Sequence, residues 1–229
     1  MKPITWINRA IESGKLSMQD LADLVPFAQR ELGVHDDGKP GARTIAALKR
    51  ALKPSAVPVP PNRQAAKQLY GDPSWVKTGR GRLVDIDDKW EQENVRWFRL
   101  HTGRRVRFHK LVGHELVELF EKACTESGYT PSNGPQTYVP RVIGGTNRLS
   151  YHALAVAFDV SPAANPWGGV QRDGSPSELR QNMAECKRAG RPSFVEIFEA
   201  AGWTWGGRWR HPKTKERNKG DDMHFQRVG

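Results

Sequence analysis

Ser150-Tyr151-His152-Ala153-Leu154-Ala155-Val156-Ala157-Phe158-Asp159 is the stretch on which the reading of this chain turns. It opens with a hydroxyl and an imidazole, crosses the longest purely apolar run of the sequence, Ala153–Phe158, and ends on a carboxylate. If residues 155–160 are extended, side chains alternate between two faces. Ala155, Ala157 and Asp159 then share one face, and Val156 and Phe158 the other. A carboxylate after two small residues sits on a roomy face that a metal ion can approach. A second cluster, Asp221-Asp222-Met223-His224-Phe225, supplies another imidazole far downstream. His152, Asp159 and His224 together suit Zn²⁺ and leave a fourth position for water. On spacing alone the signal is weak, since a His and an Asp seven residues apart are common by chance.

The other histidines offer less. His114-Glu115-Leu116-Val117-Glu118 begins like the HExxH helix motif, but its fifth residue is glutamate, so the second imidazole is missing. His114 therefore reads as a surface residue of a helix. Cys124 and Cys186 stand alone, with no CxxC pair, which excludes a cysteine zinc knuckle; in a chain this long a disulfide is not needed.

Outward from the central stretch, the chain divides. Lys53-Pro54-Ser55-Ala56-Val57-Pro58-Val59-Pro60-Pro61 holds four prolines, cannot be helical and reads as a semi-rigid linker over residues 53–63. Ahead of it, Leu21, Leu24, Ala28 and Leu32 form an apolar stripe ending at Gly33, and Ile45, Leu48 and Leu52 form a second, so residues 1–52 read as a small helical domain. Beyond it, residues 64–229 carry mixed signals. Val95–Leu100 and Arg105–Phe108 flank Thr102-Gly103 as a basic hairpin, and residues 110–127 are helical up to Gly128. Residues 155–160 read as a short buried strand, 177–189 and 193–201 as helices, and the end is rich in Trp and Gly. Helices mixed with short strands predict an α+β domain.

The net charge is +11, shared as +4 over residues 1–63 and +7 over 64–229. Such a balance predicts a polyanionic partner, and charge alone does not choose among nucleic acid, an anionic membrane and the polymers of a bacterial envelope. Arg96, Arg99, Arg104, Arg105 and Arg107 are candidates to meet such anions, or form a solvated face. No apolar run is long enough for a transmembrane segment. Met1-Lys2-Pro3-Ile4-Thr5-Trp6 lacks the apolar stretch of a secretory signal, so export by that route is not expected.

Two resemblances sharpen these readings. Gln29–Val34 followed by Asp37-Gly38-Lys39-Pro40-Gly41-Ala42-Arg43-Thr44 resembles the helical peptidoglycan-binding domain of wall hydrolases, in which a DGxxGxxT turn joins two helices. This resemblance marks Asp37, Gly38, Gly41 and Thr44 as wall-binding candidates. Ser150, His152, Ala157 and Asp159, with the late Asp221-Asp222-Met223-His224, resemble the SxHxxGxAxD…DxxH pattern of the zinc D-alanyl-D-alanine carboxypeptidase and L-alanyl-D-glutamate endopeptidase family. The chain departs from that pattern at Ala155, where the family usually has glycine. The run Gly202-Trp203-Thr204-Trp205-Gly206-Gly207-Arg208-Trp209 and the ending His224-Phe225-Gln226 are similar to the endopeptidase branch, phage endolysins included.

The resemblance implies a hedgehog-type metallopeptidase domain, a small antiparallel sheet flanked by helices, behind a small all-helical domain. It implies one zinc ion held by His152, Asp159 and His224, with Asp221 as general base by the DxxH spacing. Asp222 is the rival base, or else simply solvated. Arg141 is expected to stabilise the oxyanion, with Arg148 as its alternative. Trp203, Trp205 and Trp209 line a groove or, by the more frequent use of such residues, pack the core. Peptidoglycan is the implied partner, with no nucleic acid and a monomeric state expected. The enzyme is expected to be made in the host cytoplasm and to act on the wall once the membrane is permeabilised. Rival readings are a D-alanyl-D-alanine carboxypeptidase, a non-catalytic wall-binding protein and a basic nucleic-acid-binding protein.

Overall fold

Two short segments with a phenylalanine at the centre, Ala157-Phe158-Asp159 and His224-Phe225-Gln226, pair antiparallel and organise the sheet around which helices pack. The structure, a computed structural model, describes residues 57–210 and 220–229. The expected helical domain at 1–52, with Asp37, Gly38, Gly41 and Thr44, lies outside the described residues, as does the start of the linker. Pro58–Gly229 forms one unit.

Among the described residues the elements run α1 (Arg63–Tyr70), β1 (Trp75–Lys77), β2 (Val84–Ile86), α2 (Asp88–Asn94), β3 (Val95–Arg99), β4 (Arg105–His109), α3 (Gly113–Ser127), β5 (Ala157–Asp159), α4 (Glu178–Ala189), α5 (Phe194–Ala200), β6 (Thr204–Trp205) and β7 (His224–Gln226). The strands form three small antiparallel sheets, β1–β2, β3–β4 and β5–β7–β6. The result is the mixed helix and small antiparallel sheet of an α+β domain. β1 and β2 are only three residues each, too short to carry a periodic signal in sequence.

The three-stranded sheet has a polar face and an apolar one. Phe158 lies directly across from Phe225, their rings stacked at 5.0 Å, and Phe120, Phe198 and Trp203 pack around Phe158 at 5.1–6.2 Å. This aromatic cluster joins the sheet to α3 and α5, and Phe120, Phe158, Phe198 and Phe225 are all fully buried. Burial of several such rings is the main source of stabilisation here, each worth roughly 1.5–3 kcal/mol. Both α4 and α5 begin on a serine cap, and at α5 Ser193 and Glu196 complete a reciprocal capping box. The first residue of α3, Gly113, has no room for a side chain, since a Cβ there would lie 2.2 Å from the Phe98 ring; the helix ends at Gly128, in the left-handed region at φ 67°.

One sequence expectation needs correction. Only Ala157–Asp159 of residues 155–160 is strand; Ser150–Ala155 is a tight turn, in which the N–H groups of Ala153, Leu154 and Ala155 donate to the carbonyls of Ser150, Tyr151 and His152. Ala155 has φ 54°, so it does not share the Asp159 face by strand alternation. The reason is geometric. Seven extended residues would separate His152 from Asp159 by roughly 20 Å, whereas the turn folds the imidazole back onto the strand that follows it.

Candidate metal centre

β5 and β7 pair so that Asp159 lies directly opposite His224. The turn before β5 delivers His152 to the same spot. His152 Nε2, Asp159 Oδ1 and His224 Nδ1 stand 3.0–3.1 Å from one another, close to the roughly 3.3 Å separating donors in a tetrahedral zinc site. His152 and His224 are buried and Asp159 nearly so. Among the described residues this is the group of His and carboxylate side chains that could hold a metal ion.

The hydrogen bonds behind the imidazoles decide what they offer. His152 Nδ1 faces the Thr137 carbonyl at 2.7 Å, and His224 Nε2 faces Gln226 Oε1 at 3.2 Å. The Gln226 amide is oriented by its own donation to the Val228 carbonyl at 3.1 Å. Both outer nitrogens thus confront oxygens that only accept, so each carries a ring proton, and the one lone pair of a neutral imidazole falls on the inner nitrogen. The inner nitrogens are then lone pairs, and with Asp159 Oδ1 three acceptors converge. Only a cation or an added proton reconciles them, which is the arrangement a metal site needs. Burial by itself raises the Asp159 carboxyl, but where an added proton rather than a cation sits between these groups, the inner imidazole nitrogens donate to the carboxylate and hold it well below the usual range.

The two adjacent carboxylates have different surroundings. Asp221 Oδ1 is buried and has no hydrogen-bond partner among the described residues. Burial, seconded by the Asp159 charge, pushes its carboxyl up to about 6 against the opposing pull of His224 and Arg141. Its backbone N–H donates to Gly206 O at 3.0 Å, and a Cβ on Gly206 would come within 2.6 Å of Asp221 O, so only glycine permits this approach. Asp222 is fully buried and not solvated. It accepts Arg180 Nε at 2.6 Å and Nη2 at 2.8 Å, and the Ser177 hydroxyl as well, while Trp205 Nε1 donates to its carbonyl at 2.8 Å.

Arg141 is half-buried, and its charge interacts with both Asp159 and Asp221; burial, the largest influence on it, lowers its pKa. Arg148 is exposed and interacts electrostatically with Tyr151. His114 is exposed on α3, its ring edge-on to Phe98 at 5.1 Å. Trp203 and Trp205 are core residues, each 2% exposed, but Trp209 lies 5.2 Å from the His224 ring and walls the site. Arg96, Arg99, Arg104 and Arg105 are exposed, and Arg107 is half-buried. Cys124 and Cys186 are free thiols. The Thr137 carbonyl, Gln226 and the Arg180–Asp222 pair escape sequence reasoning. Backbone carbonyls leave no trace in sequence, and Arg180 lies 42 residues from its partner.

Residues 144–227 match the family model described as D-alanyl-D-alanine carboxypeptidase. No curated protein and no solved structure gives a significant match. The matched stretch holds the His152 turn, β5, β6, β7 and Asp221, and leaves Arg141 just outside. Over that stretch the chain is similar to a family of zinc peptidases, and the same stretch contains the whole His–Asp–His group that could bind the metal.

Proposed function

We propose that this chain is a zinc peptidase of the endolysin type that cuts the L-alanyl–D-glutamate bond of peptidoglycan stem peptides. Residues 64–229 would form the catalytic domain on a hedgehog-type core, and residues 1–52, tethered by the proline-rich linker, would bind the wall. In that role the enzyme, a monomer, reaches its substrate after the membrane is permeabilised. The observation that carries the reading is the convergence of His152 Nε2, Asp159 Oδ1 and His224 Nδ1 with both outer imidazole nitrogens already committed as donors.

When bound, a zinc ion supplies Lewis acidity, acidifying water and polarising the scissile carbonyl. The protein residues do the rest. Thr137 and Gln226 hold the imidazoles in the tautomers that face inward. Asp221, with a free buried oxygen, takes the proton of the attacking water as its oxygen bonds to the carbonyl carbon. It then returns a proton to the nitrogen as the C–N bond breaks and the amine leaves. The charge of Arg141, near both Asp159 and Asp221, suits the developing oxyanion. Trp209 shields the His224 side from bulk water.

The description of the matching family favours a second reading, removal of the terminal D-alanine. Product analysis separates the two. Digested sacculi examined by mass spectrometry are expected to show new amino groups on D-glutamate and L-alanine left on the glycan-linked stub. Chelation should stop the reaction and Zn²⁺ restore it. Free D-alanine as the main product would move the chain to the carboxypeptidase reading, and full activity in a zinc-free sample would overturn both.

A further inference from the structure

We propose that the outer face of the β3–β4 hairpin is a docking surface for the carboxylate-bearing stem peptides that flank the cleaved one; this rests on the wall substrate proposed above. The register puts Trp97 directly opposite Arg107 and Arg99 directly opposite Arg105, so all four side chains project from one face. Like charges directly opposed across two strands destabilise the pair. Arg107 is neutralised by Glu91, 2.5 Å away, but among the described residues neither Arg99 nor Arg105 has a carboxylate partner. A hairpin that keeps an uncompensated pair of this kind is set up for an anion from outside.

The aromatic in the middle makes the charge directional. Trp97 is 58% exposed, with the Arg105 guanidinium 4.7 Å and the Arg107 guanidinium 5.9 Å from its ring centre. Stacking on the ring holds a guanidinium by its flat face and leaves its N–H edge for carboxylate oxygens. The hairpin also lies near the metal centre. Arg107 lies 4.7 Å over the Tyr138 ring, and the residue before it, Thr137, holds His152 through its carbonyl. Gln136 exchanges two backbone hydrogen bonds of 2.8 Å with Asp159. A wall polymer held at the centre passes near this hairpin, and its neighbouring stem peptides bring free carboxylates. That nearness favours the wall polymer over a nucleic acid.

The test uses the full chain and its Arg99→Gln/Arg105→Gln variant, sedimented with purified sacculi at low ionic strength, native or with their carboxylates amidated. The variant should bind native sacculi about tenfold more weakly than the wild type and amidated sacculi less than about twofold more weakly, because two exposed charge contacts are removed. Its melting temperature should equal or exceed that of the wild type, since a repulsive pair has gone. Wild-type affinity for native sacculi in the variant would overturn the proposal. So would an equal loss on native and amidated walls, a fall in melting temperature, or weakened binding to a DNA oligonucleotide with sacculus binding unchanged. The readout is binding, so charge-dependent docking without any cleavage product would count against the peptidase reading alone.

Discussion

On one side of the Asp221–Asp222 peptide, a carboxylate oxygen is buried with no hydrogen-bond partner among the described residues; on the other, Asp222 accepts a two-pronged guanidinium and a hydroxyl. The two residues are the same amino acid and share a peptide bond, yet face opposite problems. Asp222 is satisfied throughout, and its pairing with Arg180 also draws in the Gly207 carbonyl, at 3.4 Å from Arg180 Nη2, so it ties α4 to the segment after β6. Asp221 is destabilised where it stands. A buried charge whose two oxygens are both hydrogen-bonded is structural, whereas a buried acceptor left open beside a group that could hold a metal is available for chemistry.

Three substitutions would break or sharpen that contrast. Asp221→Asn keeps the size and removes the basicity. Turnover of a soluble muropeptide should fall by about 10²–10⁴-fold while zinc content stays near one per chain. The same variant should be more stable than the wild type when both are metal-free. Because the folded-state pKa of Asp221 is raised to about 6 from 3.8, its ionised form is penalised above pH 6 and not below about 4. The stability gain in the variant should therefore grow with pH across that window, to roughly 1–3 kcal/mol at pH 7. A flat difference from pH 4 to 7 in denaturant melts would show that the buried oxygen carries no such strain.

Asp222→Asn strikes the other side. It leaves the Arg180 charge half-paired against a buried amide, and the expected cost is about 3 kcal/mol of folding stability, measured by urea unfolding. Turnover per folded molecule should drop far less than in the Asp221 variant. An Asp222 variant that folds normally but is catalytically dead would reverse the two roles.

The smallest effect is expected at Ala155. The left-handed backbone there, φ 54°, costs an alanine about 1 kcal/mol relative to glycine, but a glycine would forfeit a fully buried methyl worth about 0.8 kcal/mol. Ala155→Gly should shift stability by less than about 1 kcal/mol in thermal melts. In this chain a glycine at 155 would be favoured by that backbone and not by its size alone.

The sequence by itself determined a good deal here. Thr102-Gly103 between two basic strands and the helix stopped at Gly128 could be read from local spacing, because turns and caps are written within a few residues; the grouping of His152, Asp159 and His224 came from resemblance, since the strand alternation expected through Ala155 does not occur. What lay beyond it were contacts between residues far apart in the chain. Which of two adjacent aspartates is open depends on Arg180 and Ser177, more than forty residues upstream. Which imidazole nitrogens face inward depends on a backbone carbonyl at Thr137 and on the Gln226 amide. Which tryptophan walls the site, Trp209 and not Trp203 or Trp205, depends on the direction the chain takes after β6. Local periodicity names the chemical groups; burial and hydrogen-bond partners, which exist only once distant segments pack, decide whether each group is held or left open.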